Sequence, residues 1–267
     1  MEKLLAFLEL SMDIPQPYGW FHLLWFALSV AAAVVLCVLH KKGIITNVRR
    51  VVLITAVIVT VLELYKQFVF SFSWDGGLKF DYPWWVFPWQ FCSMPMYVGL
   101  VAGLTKGWVH KACCAFLASY SLFAGFCVMF YPTTVFVDII GINVQTMFCH
   151  GSMITVGIFL MVTGYVKPQH RTVLQALPVF AVGVAVAVLL NELTYRLGVL
   201  EHDSFNAFFV SPYVAPHLPV YSLVQPLLPF GLELIVYIGG FTLASWLIVL
   251  AAMGVDALAH GKKKAVA

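Results

Sequence analysis

Apolar positions along the chain gather into runs of about 20 residues, broken by short polar stretches. Seven runs stand out: Trp20–Leu39, Val51–Phe72, Val86–Thr105, Trp108–Phe130, Thr146–Val166, Val173–Tyr195 and Phe230–Met253. A membrane barrel needs short strands of alternating polarity instead. The pattern therefore predicts an all-α fold, a polytopic membrane protein built as a bundle of seven transmembrane helices over residues 20–254. Residues 1–19 are expected to form a short interfacial segment and 255–267 a basic cytoplasmic tail. The start does not read as a signal peptide. Glu2 and Glu9 interrupt Met1–Leu10, and Asp13 and Pro15 follow, where a cleaved leader has a positive start and a small-residue cleavage site. An interfacial helix is expected there.

The basic residues sort by connection. Lys41, Lys42, Arg49 and Arg50 follow the first run, Lys106 and Lys111 the third, Lys167 and Arg171 the fifth, and Lys262, Lys263 and Lys264 the last. With seven spans, these eleven of the fifteen Lys and Arg fall on one side. The positive-inside rule then places the N-terminus outside and the C-terminus in the cytoplasm of a plasma-membrane protein. Outer connections carry Tyr82-Pro83-Trp84-Trp85, Pro88-Trp89, and Pro212, Pro216 and Pro219. Trp and Tyr there suit the headgroup belt.

Composition excludes the soluble classes. Hydrophobic residues make up 62% and charged residues 10% of the 267, and mean hydropathy is +0.93. A net charge of +3, scattered along the chain, does not suit nucleic acid. GxGxxG, GxxxxGK[ST], HExxH, GxSxG and CxxC do not occur, so nothing in the motifs implies a cofactor or a metal.

Polar groups inside spans are costly, and their positions mark candidate sites. At the helical rise, Cys92 lies about 9 Å below the outer end of its span and His150 about 6–8 Å below. Asn191 and Glu192 lie about 5–6 Å below, by the same rise. Glu233 is about one turn into the last span. Glu63, Lys66 and Gln67 occupy the outer half of the second. These groups share one outer slab. Cys92, Met96, Gly99 and Gly103 form one helical stripe, and Thr146, His150, Met153 and Gly157 another, each with small residues suited to close helix approach. Structural explanations stand beside the functional one. Glu63–Lys66 and Glu192–Arg196 have the spacing of ion pairs within a helix, and Asn191 and Tyr195 are a parallel pair. Cys37, Cys113, Cys114 and Cys127 suit the role of small hydrophobes. Cys92, Cys149 and His150 share the slab without chelating spacing, so no metal is expected. A Cys127–Cys149 disulfide stays open.

Several short motifs follow in order: Pro88-Trp89-Gln90-Phe91-Cys92, a glycine-containing span from Gly125 to Pro132, Gln145 to His150-Gly151, a late Asn191, then Asn206–Pro212 and Pro219–Tyr221. Over Trp84 to Ala244 the chain resembles the YwaF-like bacterial integral membrane family, related to the animal transmembrane protein 164 group. The resemblance implies a phospholipid acyltransferase with Cys92 as nucleophile and His150 as base.

On that reading the partners are membrane phospholipids, with no protein partner indicated. Acyl transfer is expected at the outer leaflet, where the polar slab lies, with His150 as the adjacent base a thiol needs to become a nucleophile. Asn191, then Glu192 or Glu233, is expected to orient the imidazole. Gln90 is the candidate oxyanion donor. Glu63, Lys66, Gln67 and Tyr195 make a polar pocket. The rival classes are a proton-coupled small-solute transporter, lined by Glu63, Lys66, His150, Glu192 and Glu233, and a non-catalytic scaffold or receptor. No polar series reaches the inner side, which weighs against a conducting path.

Overall fold

The structure is a computed structural model. It describes residues 1–132, 135–201, 203–216, 218 and 220–265, the side chains of 259–265 excepted. Pro219, part of the Pro-x-Tyr motif, and the side chains of Lys262, Lys263 and Lys264 lie outside the described residues.

The apolar runs fold as helices. After α1 (Glu2–Leu8) come α2 (Trp20–Lys41) and α3 (Val48–Ser71). Next are a short helix α4 (Met94–Leu104), then α5 (Gly107–Phe116) and α6 (Leu122–Phe130), joined through a π-helical segment at Leu117–Ser121. Then follow α7 (Ile140–Val162), α8 (His170–Arg196), a four-residue α9 (Tyr221–Val224) and α10 (Phe230–Ala265). Six stretches are long and apolar enough to cross a membrane, and Phe91–Leu104 is a shorter apolar helix. The chain is thus a polytopic helical membrane protein.

Local chemistry places the ends. Asn47 caps α3, its side chain accepting from the Arg50 amide at 3.0 Å, as N-cap residues do. Gly107, at φ +69, makes the tight reversal from α4 into α5, a conformation costly for any residue with a Cβ. The segment before α2 is tied to the same end as α3 and α7. Tyr65 donates to the Leu8 carbonyl at 2.7 Å, and Met12 and Asp138 join through their backbones at 2.8 Å.

Burial identifies the middle of the bundle. Within the most apolar windows, 72% of Gly107–Phe130 and 61% of Ile140–Val162 is buried, against 17–33% for the other four spans. The glycines of both stripes are contact points. A Cβ on Gly99 would come within 2.8 Å of Ala56 Cβ, and one on Gly157 within 2.7 Å of Leu122 Cβ.

Two expectations need correction, the start of the fifth span and the length of the third, and two features add to the sequence reading. Residues 72–80 form a small antiparallel hairpin, β1 (Phe72–Trp74) against β2 (Leu78–Phe80), because Asp75-Gly76-Gly77 is a turn sequence with Gly76 at positive φ. The fifth span begins at Ile140, six residues before Thr146, so His150 lies about 15 Å along its helix. The last helix continues through 255–265 without a break at the expected tail. The third span is not a full span, and this shapes the site.

Candidate functional site

The apolar run from Val86 does not become helix at once. Trp84–Val86 is a single 3-10 turn. Phe87, preceding Pro88, is extended at φ −50 and ψ 130, since a proline disfavours the helical conformation in the residue before it. Helical geometry resumes as a 3-10 turn at Phe91–Ser93, leading directly into α4. Pro95 falls in the first turn of α4, where its missing N–H costs no internal bond. The 14 residues from Phe91 to Leu104 span about 21 Å, some 9 Å short of a hydrocarbon core. Cys92 therefore stands in the first turn of a half-helix.

There α3, the half-helix and α7 enclose a cavity of about 170 Å³. Its walls include Cys92, His150, Glu63, Lys66, Gln145 and Cys149. Four of the residues singled out in the sequence thus meet in one space. Cys92 is exposed and Cys149 buried, and all six cysteines are free thiols, Cys127 included.

His150 is held by its own helix. Its Nδ1 lies 2.8 Å from the Thr146 carbonyl. A carbonyl only accepts, so Nδ1 carries the proton and Nε2 keeps its lone pair. The group orienting the imidazole is therefore the Thr146 carbonyl, one turn back, in place of Asn191, Glu192 or Glu233. Among the described residues no hydrogen bond engages Nε2, and none joins Cys92 to His150.

Glu63 organises the opposite wall. Its Oε1 accepts from Lys66 Nζ at 2.8 Å and from Gln67 Nε2 at 2.7 Å. Its Oε2 accepts from Gln145 Nε2 at 3.3 Å. Gln67 also donates to the Val86 carbonyl at 2.7 Å and accepts from Tyr82 at 2.8 Å. Burial first, and then the Glu63 carboxylate, pushes the Tyr82 phenol up to about 12, so it remains a donor. This network ties α3 to the chain just before the half-helix. Gln145 carries part of it. The sequence offered Gln145 only as part of a motif, because nothing in an amide's position names its partner.

Gln90 and Asn191 do something else. Gln90 Nε2 donates to the Asn206 carbonyl at 3.0 Å, and its Oε1 accepts from the Phe208 amide at 3.0 Å. Asn191 Nδ2 donates to the Ala207 carbonyl at 3.1 Å, and its Oδ1 accepts from the Ala207 amide at 2.8 Å. Both carboxamides clamp residues 206–208, and neither residue lines the cavity that holds Cys92 and His150. The clamped loop holds Phe208 and Phe209 at φ 55 and 58. That is a left-handed conformation costing roughly 1–2 kcal/mol per residue without compensation. Phe208 is fully buried and packs 5.9 Å from Phe91, centroid to centroid. The clamp thus supports the residue beside Cys92.

The remaining predicted residues lie elsewhere. Glu192 is on the surface of α8, bonded to Arg196 at 2.6 Å and also to the Tyr213 hydroxyl. Tyr195 is exposed and stacks on Tyr213 at 3.7 Å. Glu233 is buried on α10 with Oε1 unpaired among the described residues. None of the three lines the cavity.

Six spanning helices, a half-helix and a polar cavity between them define a helical membrane protein with a candidate site among its helices. The chain belongs to the TMEM164 family, whose model matches residues 17–252. No curated protein and no solved structure matches it.

Proposed function

We propose that the protein is a phospholipid acyltransferase working through a Cys92 thioester. It sits in the plasma membrane with its N-terminus outside, as the skew of Lys and Arg to the other side supports. The observation that carries the reading is the cavity lined jointly by Cys92 and His150, with Nδ1 of His150 occupied and Nε2 free.

The steps follow from that geometry. Nε2 takes the thiol proton as Cys92 Sγ attacks the ester carbonyl of a donor phospholipid. The acyl C–O bond breaks, and the leaving lysophospholipid oxygen takes the proton from Nε2. An acceptor hydroxyl then gives its proton to Nε2 and attacks the thioester carbonyl. The C–S bond breaks, and the thiolate recovers the proton. Nothing is oxidised or reduced. Apo geometry without a direct Cys–His hydrogen bond is compatible with this, since such bonds often tighten only with substrate bound. Cys92 is favoured over Cys149 because it is accessible and Cys149 is buried. Lys66, paired to Glu63 at the cavity wall, places a positive charge where a phosphate or developing oxyanion is accommodated.

The test is intact-protein mass spectrometry of the purified chain with phospholipids, wild type beside Cys92→Ser. The expected result is a hydroxylamine-labile acyl adduct in the wild type alone. An equal adduct in both proteins overturns the nucleophile assignment. Solute flux sensitive to Glu63 or Glu233 substitution, with no adduct and no acyl transfer, replaces it with the transporter reading.

A further inference from the structure

We propose that Glu233, Tyr221 and Tyr237 form a binding site for one monovalent metal cation, where α9 meets the start of α10. None of the three lines the cavity that holds Cys92 and His150. The site stands whether or not the chain transfers acyl groups.

Three orphaned oxygens carry the site. Glu233, Tyr237 and Tyr221 are 4%, 2% and 7% exposed. Glu233 Oε1 and both phenol oxygens have no hydrogen-bond partner among the described residues. Buried polar groups are nearly always paired, so each exception asks for an explanation. Six such side-chain atoms occur among the described residues, and half of them meet here. Glu233 and Tyr237 are one turn apart on one face of α10. Helical side chains lean toward the N-terminus, which carries the Tyr237 ring back toward Glu233. The Tyr221 ring lies 5.1 Å from that of Tyr237, centroid to centroid. Tyr221 and Gln225 stand beside the Glu233 carboxyl. Gln225 donates through Nε2 to the Ser211 carbonyl at 3.1 Å, and no hydrogen bond among the described residues reaches its Oε1.

Charge decides the occupant. The ion pairs among the described residues belong to Glu63, Asp75 and Glu192, and none reaches Glu233. A carboxylate withdrawn from water without a counter-charge is costly. A trapped water pairs with the phenols but leaves that charge standing. A divalent ion overshoots it, because one carboxylate leaves a net positive charge in an apolar wall. No group of three or more His, Cys, Asp or Glu that could hold such an ion occurs among the described residues. One monovalent cation neutralises Glu233. Each phenol oxygen has lone pairs for the ion and one hydrogen for the carboxylate, and Gln225 Oε1 supplies a further ligand. The Tyr237 ring packs 4.7 Å from Phe241 and 6.1 Å from Phe180, centroid to centroid. In such surroundings the attraction between ion and carboxylate is little screened. A bound ion joins α9 to α10 and, through Gln225, to the loop at Ser211.

The experiment melts the purified full chain in detergent with sodium chloride, potassium chloride or N-methyl-D-glucamine chloride at equal ionic strength. The expected result is a higher melting temperature in one or both metal salts, by about 3–6 °C at ten times the dissociation constant, saturating with concentration. Glu233→Gln keeps the shape, removes the charge and is expected to abolish the difference. Tyr237→Phe is the sharper variant. Removing an unpaired buried hydroxyl from an empty site leaves melting unchanged or raises it. Tyr237→Phe is therefore expected to lose most of the metal-dependent rise while melting no lower than the wild type in the organic cation. Glu63→Gln keeps the rise, since Glu63 already holds Lys66. Equal melting of the wild type in all three salts overturns the cation site. So does a rise that survives Glu233→Gln, or one lost in Glu63→Gln alone, which moves the ion to the cavity. Tyr237→Phe melting lower by the same amount in every salt replaces the cation with a trapped water. The Cys92 adduct is read separately, and its absence leaves each of these outcomes unchanged.

Discussion

Among the described residues a Cys–His pair stands at each end of the bundle, and the one in hydrogen-bond contact has no ring nitrogen left over. Near the start of α5, Cys114 Sγ lies 3.7 Å from His110 Nε2 and 3.9 Å from Nδ1. Both ring nitrogens of His110 are already committed. Nδ1 faces the Ala102 carbonyl at 2.7 Å, and Nε2 the Tyr165 hydroxyl at 2.7 Å. The carbonyl fixes the proton on Nδ1, so Nε2 accepts from Tyr165. Cys114 is 1% exposed, and the cavity that holds Cys92 does not reach it. At the other end Cys92 and His150 share no hydrogen bond, yet His150 keeps Nε2 free and both line a cavity. A base needs an unoccupied lone pair and room for substrate, and distance in the empty protein is secondary.

The largest test of that difference removes the sulfurs. Cys92→Ser is expected to abolish the acyl adduct, whereas Cys114→Ser leaves it unchanged, both read by intact mass with hydroxylamine treatment. Loss of the adduct in Cys114→Ser alone would invert the assignment. The histidines come next. His150→Ala is expected to slow acylation by about 10²–10⁴-fold, the usual worth of a positioned base. Adding it to Cys92→Ser should cost little more, because a catalytic unit is not additive. His110→Ala should leave the rate intact and lower thermal stability, since orphaning a buried acceptor costs about 1–3 kcal/mol.

What the sequence made legible follows the same division. Long apolar runs name their helices because composition alone drives insertion. Cys92 and His150 were legible because polar groups in such runs are rare. The half-helix was not, since a hydropathy run counts side chains while Pro88 acts on the backbone of Phe87. The roles of Gln90 and Asn191 were also hidden. Their partners are main-chain groups of a loop whose left-handed Phe208 and Phe209 carry no glycine or asparagine to announce the turn. Thr146 was placed on the stripe correctly, but its part in orienting His150 comes from its carbonyl, which every residue has.

Two interior networks sharpen the comparison at smaller effect. Glu63→Gln leaves Lys66 without its carboxylate beside the cavity, and breaking a largely buried pair costs about 3–5 kcal/mol. The expected result is a lower melting temperature together with reduced acylation. Asn191→Leu removes both bonds to the buried Ala207, for about 1–3 kcal/mol. If the clamp positions the half-helix, the rate of Cys92 alkylation by a small maleimide changes with it. A variant that melts earlier but alkylates Cys92 at the wild-type rate would confine the clamp to a stabilising role.

The smallest effect belongs to Glu192. By spacing alone, Glu192–Arg196 and Glu63–Lys66 look like one device, a carboxylate and a cation one turn apart on a helix. Their surroundings differ. The Glu63 side chain is 9% exposed, but that of Glu192 is 38% and that of Arg196 is 74%. Water screens the outer pair, holding two long side chains in place costs entropy, and exposed pairs of this kind seldom contribute measurably. Tyr213 adds a hydrogen bond to Glu192 at the same exposed site. Glu192→Gln is therefore expected to melt and acylate like the wild type. Loss of acylation at unchanged melting would extend the reacting site to the surface of α8, away from the cavity, and would undo the distinction drawn between the two ends of the bundle.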